Sequence, residues 1–568
     1  MKNMQFSFDL QKGISLQFRK WFSKLSTSWG VGILATILAA GATAFFYIQD
    51  TIVAYGDAES HLNIAKRVVD SLTPGAAQLG GIWLPLPHVL LTPLVYFDFL
   101  WRSGLAGSIV SGIAFVVAAV FLFKLVRLLT ANRYAAFVAA LVFLLNPNLL
   151  YLQATPMTEL PLIAFFILST YFFLKYLREQ ENILPLVAAA FFGFCAALSR
   201  YDGWFLVGIE AGVLLLVSFP YVVNTKILAR PLGLKTLRGL LARRQSAFGE
   251  RMGMLFHKLE GRLVLFSTLA FFGIALWLAW DALILGDPLY FTHSQFSASS
   301  QQQGWLAKGQ LPAYHNLGQS VLYYFFTAMG NAGVLIFAAS LVGLAVYLLR
   351  SRSRHRFLTV LLLFTPFIFY VATLYMGQSI IFIPHITPGY FDWTLFNVRY
   401  GVVMVPAVAV LFGYLFFRSQ TLGKVALIAI IAAQLGLYSV GYSRVLSLED
   451  GVSGLSSAKR PDAERFMAQN YDDGLVLLDD FSRQMSVVRS GIPMHNIIYI
   501  GNKPYWEESL LQPEKHATWI VIQTNDQVWK KIYEPPLMQG RLFQHFTKVY
   551  TSPEILIFKK TSALSLSD

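Results

Sequence analysis

The run GVGILATILAAGATAFFYIQ (30–49), followed at once by DTIVAYGDAESHLNIAKRVVD (50–70), decides how this chain is read. The first stretch carries no charge and, as a helix, is long enough to cross the ~30 Å hydrocarbon core of a bilayer. The second places Asp57, Glu59 and His61 within five residues just past the end of that span. The residues from Ser60 to Val69 have helical character, so Asp57 and His61, four apart, share a face suited to proton chemistry. The same spacing also fits a plain helix cap, with Asp57 accepting backbone N–H groups. Two carboxylates and a histidine on one short stretch leave a divalent metal open as a minor alternative; otherwise no metal site and no cofactor is expected.

Ten further apolar runs, near 104–126, 134–151, 159–176, 184–198, 204–225, 263–285, 329–349, 357–376, 400–417 and 423–442, bring the expected spans to about eleven. The 568-residue chain is 55% hydrophobic and only 13% charged, against about a quarter charged in soluble domains, which excludes a soluble protein. Mean hydropathy is +0.53. The net charge of +14 would suit nucleic acid, but the basic residues are sorted by side. With residues 1–29 cytoplasmic, the N-terminus and alternate connections hold 25 of the 45 Lys and Arg, and the opposite loops hold six. That is the positive-inside pattern, so the basic stretch Lys226 to Arg262 is read as facing anionic lipid, with no nucleic-acid partner. Ala40, Ala42 and Ala44 resemble a signal-peptide cleavage region, but the apolar run exceeds a usual signal core and is read as an uncleaved span. The single cysteine, Cys195, permits no intrachain disulfide and no Cys-based metal site.

An odd span count leaves the chain after 443 outside. There GLVLLDDF (474–481), NIIYIG (496–501), WIVIQ (519–523) and EILIFKK (554–560) read as strands, with DAERFMAQN (462–470) and SRQMSVVRSG (482–491) as helices between them. The expected organisation is a membrane domain over 1–443, with an outer loop at about 50–103, and a small extracytoplasmic α/β domain over 444–568.

Ionisable residues recur at the outer ends of the spans: Glu159, Arg200, Asp202, Asp281, Asp287, Asp392 and Arg399. Charges at membrane depth are functional candidates by default. Arg67, Arg200 and Arg399 are candidates for a phosphate clamp, because a planar guanidinium bonds phosphate bidentately and keeps its charge when desolvated. Arg200 and Asp202 could equally pair with one another, and Glu210, deeper in its span, reads as a buried structural carboxyl.

Five stretches taken together resemble the GT-C class of integral-membrane glycosyltransferases, in particular the protein O-mannosyltransferase and aminoarabinose-transferase-like group of family 39. They are GDAESHL (56–62), TPMTELPLIAFF (155–166), ALSRYDGWFL (197–206), WDALILGDPLYFTHSQFSA (280–298) and NVRYGVVMVPAVAVL (397–411), in order across residues 30–420. The resemblance implies transfer of a sugar from a polyprenyl-phosphate donor to an acceptor hydroxyl or amine on the outer face, with inversion. It implies Asp57 as general base, with Glu59 or His61 tuning it, Glu159 binding acceptor or sugar, and Arg399 with Tyr400 at the lipid phosphate. Arg200 and Asp202 are further substrate-binding candidates. Adjacent Asp-Glu in the protein mannosyltransferases is interrupted here by Ala58. The acceptor is left open among protein, lipid and glycan. A lipid or sugar transporter, or a non-catalytic scaffold, are the alternative readings; transporters place charges at the midplane, whereas here they crowd one side. None of the 14 asparagines begins an N-x-Ser/Thr pattern, which favours a prokaryotic plasma membrane.

Overall fold

The computed structural model describes residues 24–222, 237–458, 462–480 and 485–561, with backbone alone at 218–222 and 237–259. The first 23 residues and the start of the basic stretch, 226–236, lie outside this description. The first span becomes α1 (Ser28–Ile48), capped by Thr27, whose Oγ1 accepts the Gly30 N–H at 3.0 Å. The outer loop folds into α2 (Gly56–Val69) and α3 (Leu86–Val95). After these come α4 (Leu105–Thr130), α5 (Glu159–Arg178), α6 (Asp202–Val222) and α7 (Leu237–Leu285). The membrane part closes with α8 (Leu317–Ala332), α9 (Val334–Arg350), α10 (Val405–Arg418) and α11 (Thr421–Ser439).

Among the described residues, six helices are long and apolar enough to cross a bilayer, and up to eight if each of two bent pairs is one span. The expected count of about eleven also took in shorter and bent apolar helices. Arg133–Leu144 and Leu184–Ala197 are apolar but too short; the first ends just before Asn146 and Pro147 start a new turn. The run near 329–349 is broken, with α8 and α9 meeting at 113°. Gly333, at φ +89°, makes the corner, and Gln434 of α11 fills it, its Oε1 accepting the Leu335 N–H at 3.0 Å. A side chain at position 333 would collide with Gln434, so only glycine fits.

The C-terminal strands form one mixed sheet in the order β2-β1-β3-β5-β4. They are β1 (Val476–Leu478), β2 (Ile497–Ile498), β3 (Trp519–Gln523), β4 (Phe546–Thr551) and β5 (Ile555–Lys560). β1 runs parallel to β2 and β3, while β5 is antiparallel to β3 and β4. β4 is a sheet edge: its residues FTKVYT are strand formers apart from Lys548, but only Phe546 is buried. The stretch 482–491 is not the expected helix: 481–484 lie outside the description, and 485–490 is a turn. Several of its N–H groups leave the segment, Met485 donating to Gln523 and Val487 to Glu59.

Candidate functional site

Small residues set the site's geometry. Gly107 of α4 lets Pro156 lie where a Cβ would stand, and Ser108 and Ser111 donate to the carbonyls of Ala154 (2.6 Å) and Thr155 (2.9 Å). This fixes the turn that starts α5, so Glu159 falls in the first helical turn, fully buried. On the other side Gly401 sits against the Thr327 carbonyl of α8, and Asn331 donates to the Val398 carbonyl at 2.7 Å. That close approach holds the 3-10 turn Val398–Met404 and aims Arg399 at Glu159.

Arg399 is the hub. Its Nη2 meets Asp57 Oδ2 at 2.7 Å, its Nε meets Glu159 Oε1 at 3.1 Å, and its Nη1 donates to Ser456 Oγ at 3.3 Å and lies 3.9 Å from Asp450. Arg200 approaches the same Glu159 oxygen at 3.2 Å, donates to Thr158 and to the Tyr370 hydroxyl (2.9 Å), and lies 3.6 Å from Asp202. Tyr370 in turn donates to Asp202 Oδ2 at 2.9 Å. Both guanidinium groups lie over the Tyr400 ring, which stacks on Tyr370 at 5.0 Å. Two arginines therefore bridge four carboxylates. Asp57 is 25% exposed, whereas Glu159, Asp202 and Asp450 are 0–2% exposed.

The family model described as Dolichyl-phosphate-mannose-protein mannosyltransferase matches residues 99–232. Sequence comparison with curated proteins gives no match. In structure the chain is similar to ArnT from Cupriavidus metallidurans bound to undecaprenyl phosphate, with TM-score 0.52 at 13% identity, covering 94% of this chain and 99% of that one. The apo state of the same enzyme gives a TM-score of 0.50 at 13% identity over the same shares. The chain has the GT-C fold. The Archaeoglobus fulgidus oligosaccharyltransferase in its apo form gives 0.46 at 12% identity, over 87% of this chain and 69% of that one.

Within this GT-C fold, Asp57, Glu159, Arg200, Asp202, Arg399 and Tyr400 converge. Glu59 does not join them, because its Oε1 accepts the N–H groups of Val487 (2.7 Å) and Val488 (3.4 Å). Arg67 is likewise taken elsewhere, paired with Asp480 and stacked on Tyr499. Glu210 lies apart, accepting from Ser169, and Asp287 pairs with His293. Among the described residues no group of three or more His, Cys, Asp and Glu side chains converges as a metal site.

Sequence reading missed Tyr370, Asp450, Ser456 and His88. His88 Nε2 lies 2.9 Å from His61 Nδ1, and His61 also packs on Trp83. Burial pushes His88 down to about 4, and burial together with His88 pushes His61 well below the usual imidazole range. Burial raises Asp450 to about 6, with Arg399 opposing.

The histidine pair makes stability pH-dependent. The unfolded imidazoles take up protons as pH falls below about 6.5, while the buried pair stays neutral, so stability is lost between about pH 6.5 and 4. For His88 alone this amounts to about 2 kcal/mol between pH 7.5 and 5. Asp450 acts in the opposite sense, because its raised folded pKa favours the native state as pH falls, so the measurement is a comparison. Thermal unfolding of His88→Gln should show a shallower decline from pH 7.5 to 5 than the wild type. Identical slopes would mean that His88 is not held neutral.

Proposed function

We propose that the protein is a membrane glycosyltransferase that moves a sugar from a polyprenyl-phosphate donor to an acceptor hydroxyl or amine on the outer face, inverting the anomeric carbon. The observation that carries this reading is the exposure of Asp57 beside a buried arginine hub: among the four bridged carboxylates it alone reaches solvent, and Arg399 pairs with it at 2.7 Å. Asp57 takes the proton from the acceptor, the acceptor atom attacks the anomeric carbon, and the bond to the phosphate oxygen breaks with its electron pair. The departing polyprenyl phosphate is neutralised by Arg399 and Arg200, which exchange part of their carboxylate bonding for phosphate oxygens. Glu159 joins the two arginines through one oxygen, Asp202 braces Arg200, Tyr400 supports both, and His61 lies one helical turn from Asp57.

The fold likeness to ArnT supports a lipid-linked donor, as that enzyme was solved with undecaprenyl phosphate. The sorting of basic residues supports a cytoplasmic N-terminus and an outer C-terminal sheet, and the lack of N-x-Ser/Thr sites supports a prokaryotic plasma membrane. A metal shared by Asp57 and Glu59 fits less well, because the two carboxylates hold different partners.

The test incubates the purified protein with a panel of radiolabelled polyprenyl-phosphate sugars, with and without EDTA, and scores sugar released from lipid. Release of at least one sugar, insensitive to EDTA, is expected. Neither release nor lipid binding across the panel would overturn the reading; EDTA-sensitive release would restore the metal.

A further inference from the structure

The outer loop is fastened to the C-terminal sheet at one particular edge. β1 lies between two parallel neighbours: the chain leaves it to one side for β2 and then crosses back past it to form β3 on the other. The carboxyl end of β1 is therefore the point where connections diverge, the crevice that in open parallel sheets receives a ligand. Here α2 occupies that place. Asp480, two residues past β1, pairs with Arg67, whose guanidinium lies 3.9 Å from the Tyr499 ring centre. The turn that follows gives the Val487 and Val488 N–H groups to Glu59, which is 7% exposed. The flanking Arg102 donates to the carbonyls of Val488 and Ile492, both at 3.2 Å. Asp57 stands two residues before Glu59, about 3 Å along the helix axis, and faces Arg399.

We propose that Glu59 is a positioning residue: through Val487 and Val488 it anchors the first turn of α2 to the sheet and thereby holds Asp57 against Arg399. This rests on the reading of Asp57 as general base. A buried carboxylate accepting two backbone N–H groups makes charge-assisted bonds, so the first turn of α2 cannot rotate without breaking them. A proton acceptor displaced by about 1 Å loses about 10²-fold in rate.

The chemistry of glutamine separates anchoring from catalysis. Glu59→Gln keeps a carbonyl oxygen that can accept both N–H groups but can neither take nor give a proton; Glu59→Ala keeps nothing. Turnover of the polyprenyl-phosphate sugar is expected to fall about 10²-fold in Glu59→Ala with KM within about twofold, and to recover in Glu59→Gln to within about threefold of wild type. Amide exchange over 56–62 should quicken in Glu59→Ala and return to the wild-type rate in Glu59→Gln. Should Glu59→Ala not fold, Asp480→Asn, which loosens the other end of α2, should lower kcat about tenfold at unchanged KM. A Glu59→Gln as inactive as Asp57→Asn would overturn the proposal and make Glu59 a participant in proton transfer. Full activity in Asp57→Asn would instead sink the general-base reading, and the exchange rates would still decide whether Glu59 anchors α2.

Discussion

Asp57→Asn is expected to fold as the wild type does and to lose about 10²–10⁴ of its turnover. The substitution keeps the side chain's shape and leaves an amide oxygen to accept from Arg399, which retains Glu159 and Ser456 as partners. The basic oxygen is what disappears. A sugar phosphoester already has a good leaving group, so beyond orientation the enzyme must remove the acceptor's proton and neutralise the phosphate. Turnover measured on detergent-purified, monodisperse protein checks this, with donor binding as the control for folding. Near-normal turnover in both Asp57→Asn and Glu59→Gln would sink the mechanism, and a dead Glu59→Gln beside an active Asp57→Asn would exchange the roles of the two carboxylates.

Arg399→Met should be the more damaging change, because it removes structure as well as chemistry. Glu159 and Asp450 are fully buried, and Arg399 binds the first at 3.1 Å and lies 3.9 Å from the second. Taking away one partner of a buried ion pair typically costs about 3–5 kcal/mol, since the remaining charge stays buried. A clear drop in melting temperature is expected, together with loss of sugar release beyond that of Asp57→Asn. Arg399→Lys should restore part of the stability and little of the activity: one ammonium cannot reproduce the planar fork that reaches Asp57, Glu159 and Ser456 at once. A stable, active Arg399→Met would show that the hub is dispensable.

The helical membrane character and most of the converging residues were legible in the sequence, because each sits in a motif at the end of an apolar run. Glu159 follows TPMT, Arg200 and Asp202 flank one tyrosine, and Arg399 precedes Tyr400. Their convergence was not legible, since it depends on Gly107 and Gly401 letting backbones approach, and neither glycine differs locally from others in apolar helices. Tyr370 is one of 26 tyrosines, and Asp450 lies beyond the last apolar run, so neither carried a signal. The corner inside the run near 329–349 was not legible either, because its partner Gln434 is distant in sequence from Gly333. The expected helix at 482–491 gives way to a turn for a like reason, the Val487 and Val488 amides being satisfied by Glu59.

The pairing of Glu59 with Val487 joins positions 428 residues apart, and Asn502 reaches back to Thr73 across 429. At about 5–20 residues per second, ribosomal synthesis separates the two halves of these contacts by about 20–90 s. During that interval α2 is already made, with Glu59 and Arg67, both buried in the finished protein, lacking their late partners Val487 and Asp480. The site beside Asp57 therefore completes only when the last hundred residues have emerged. A chain cut short before Val487 would carry each of the candidate spans among the described residues and still fail to hold its acidic loop in place.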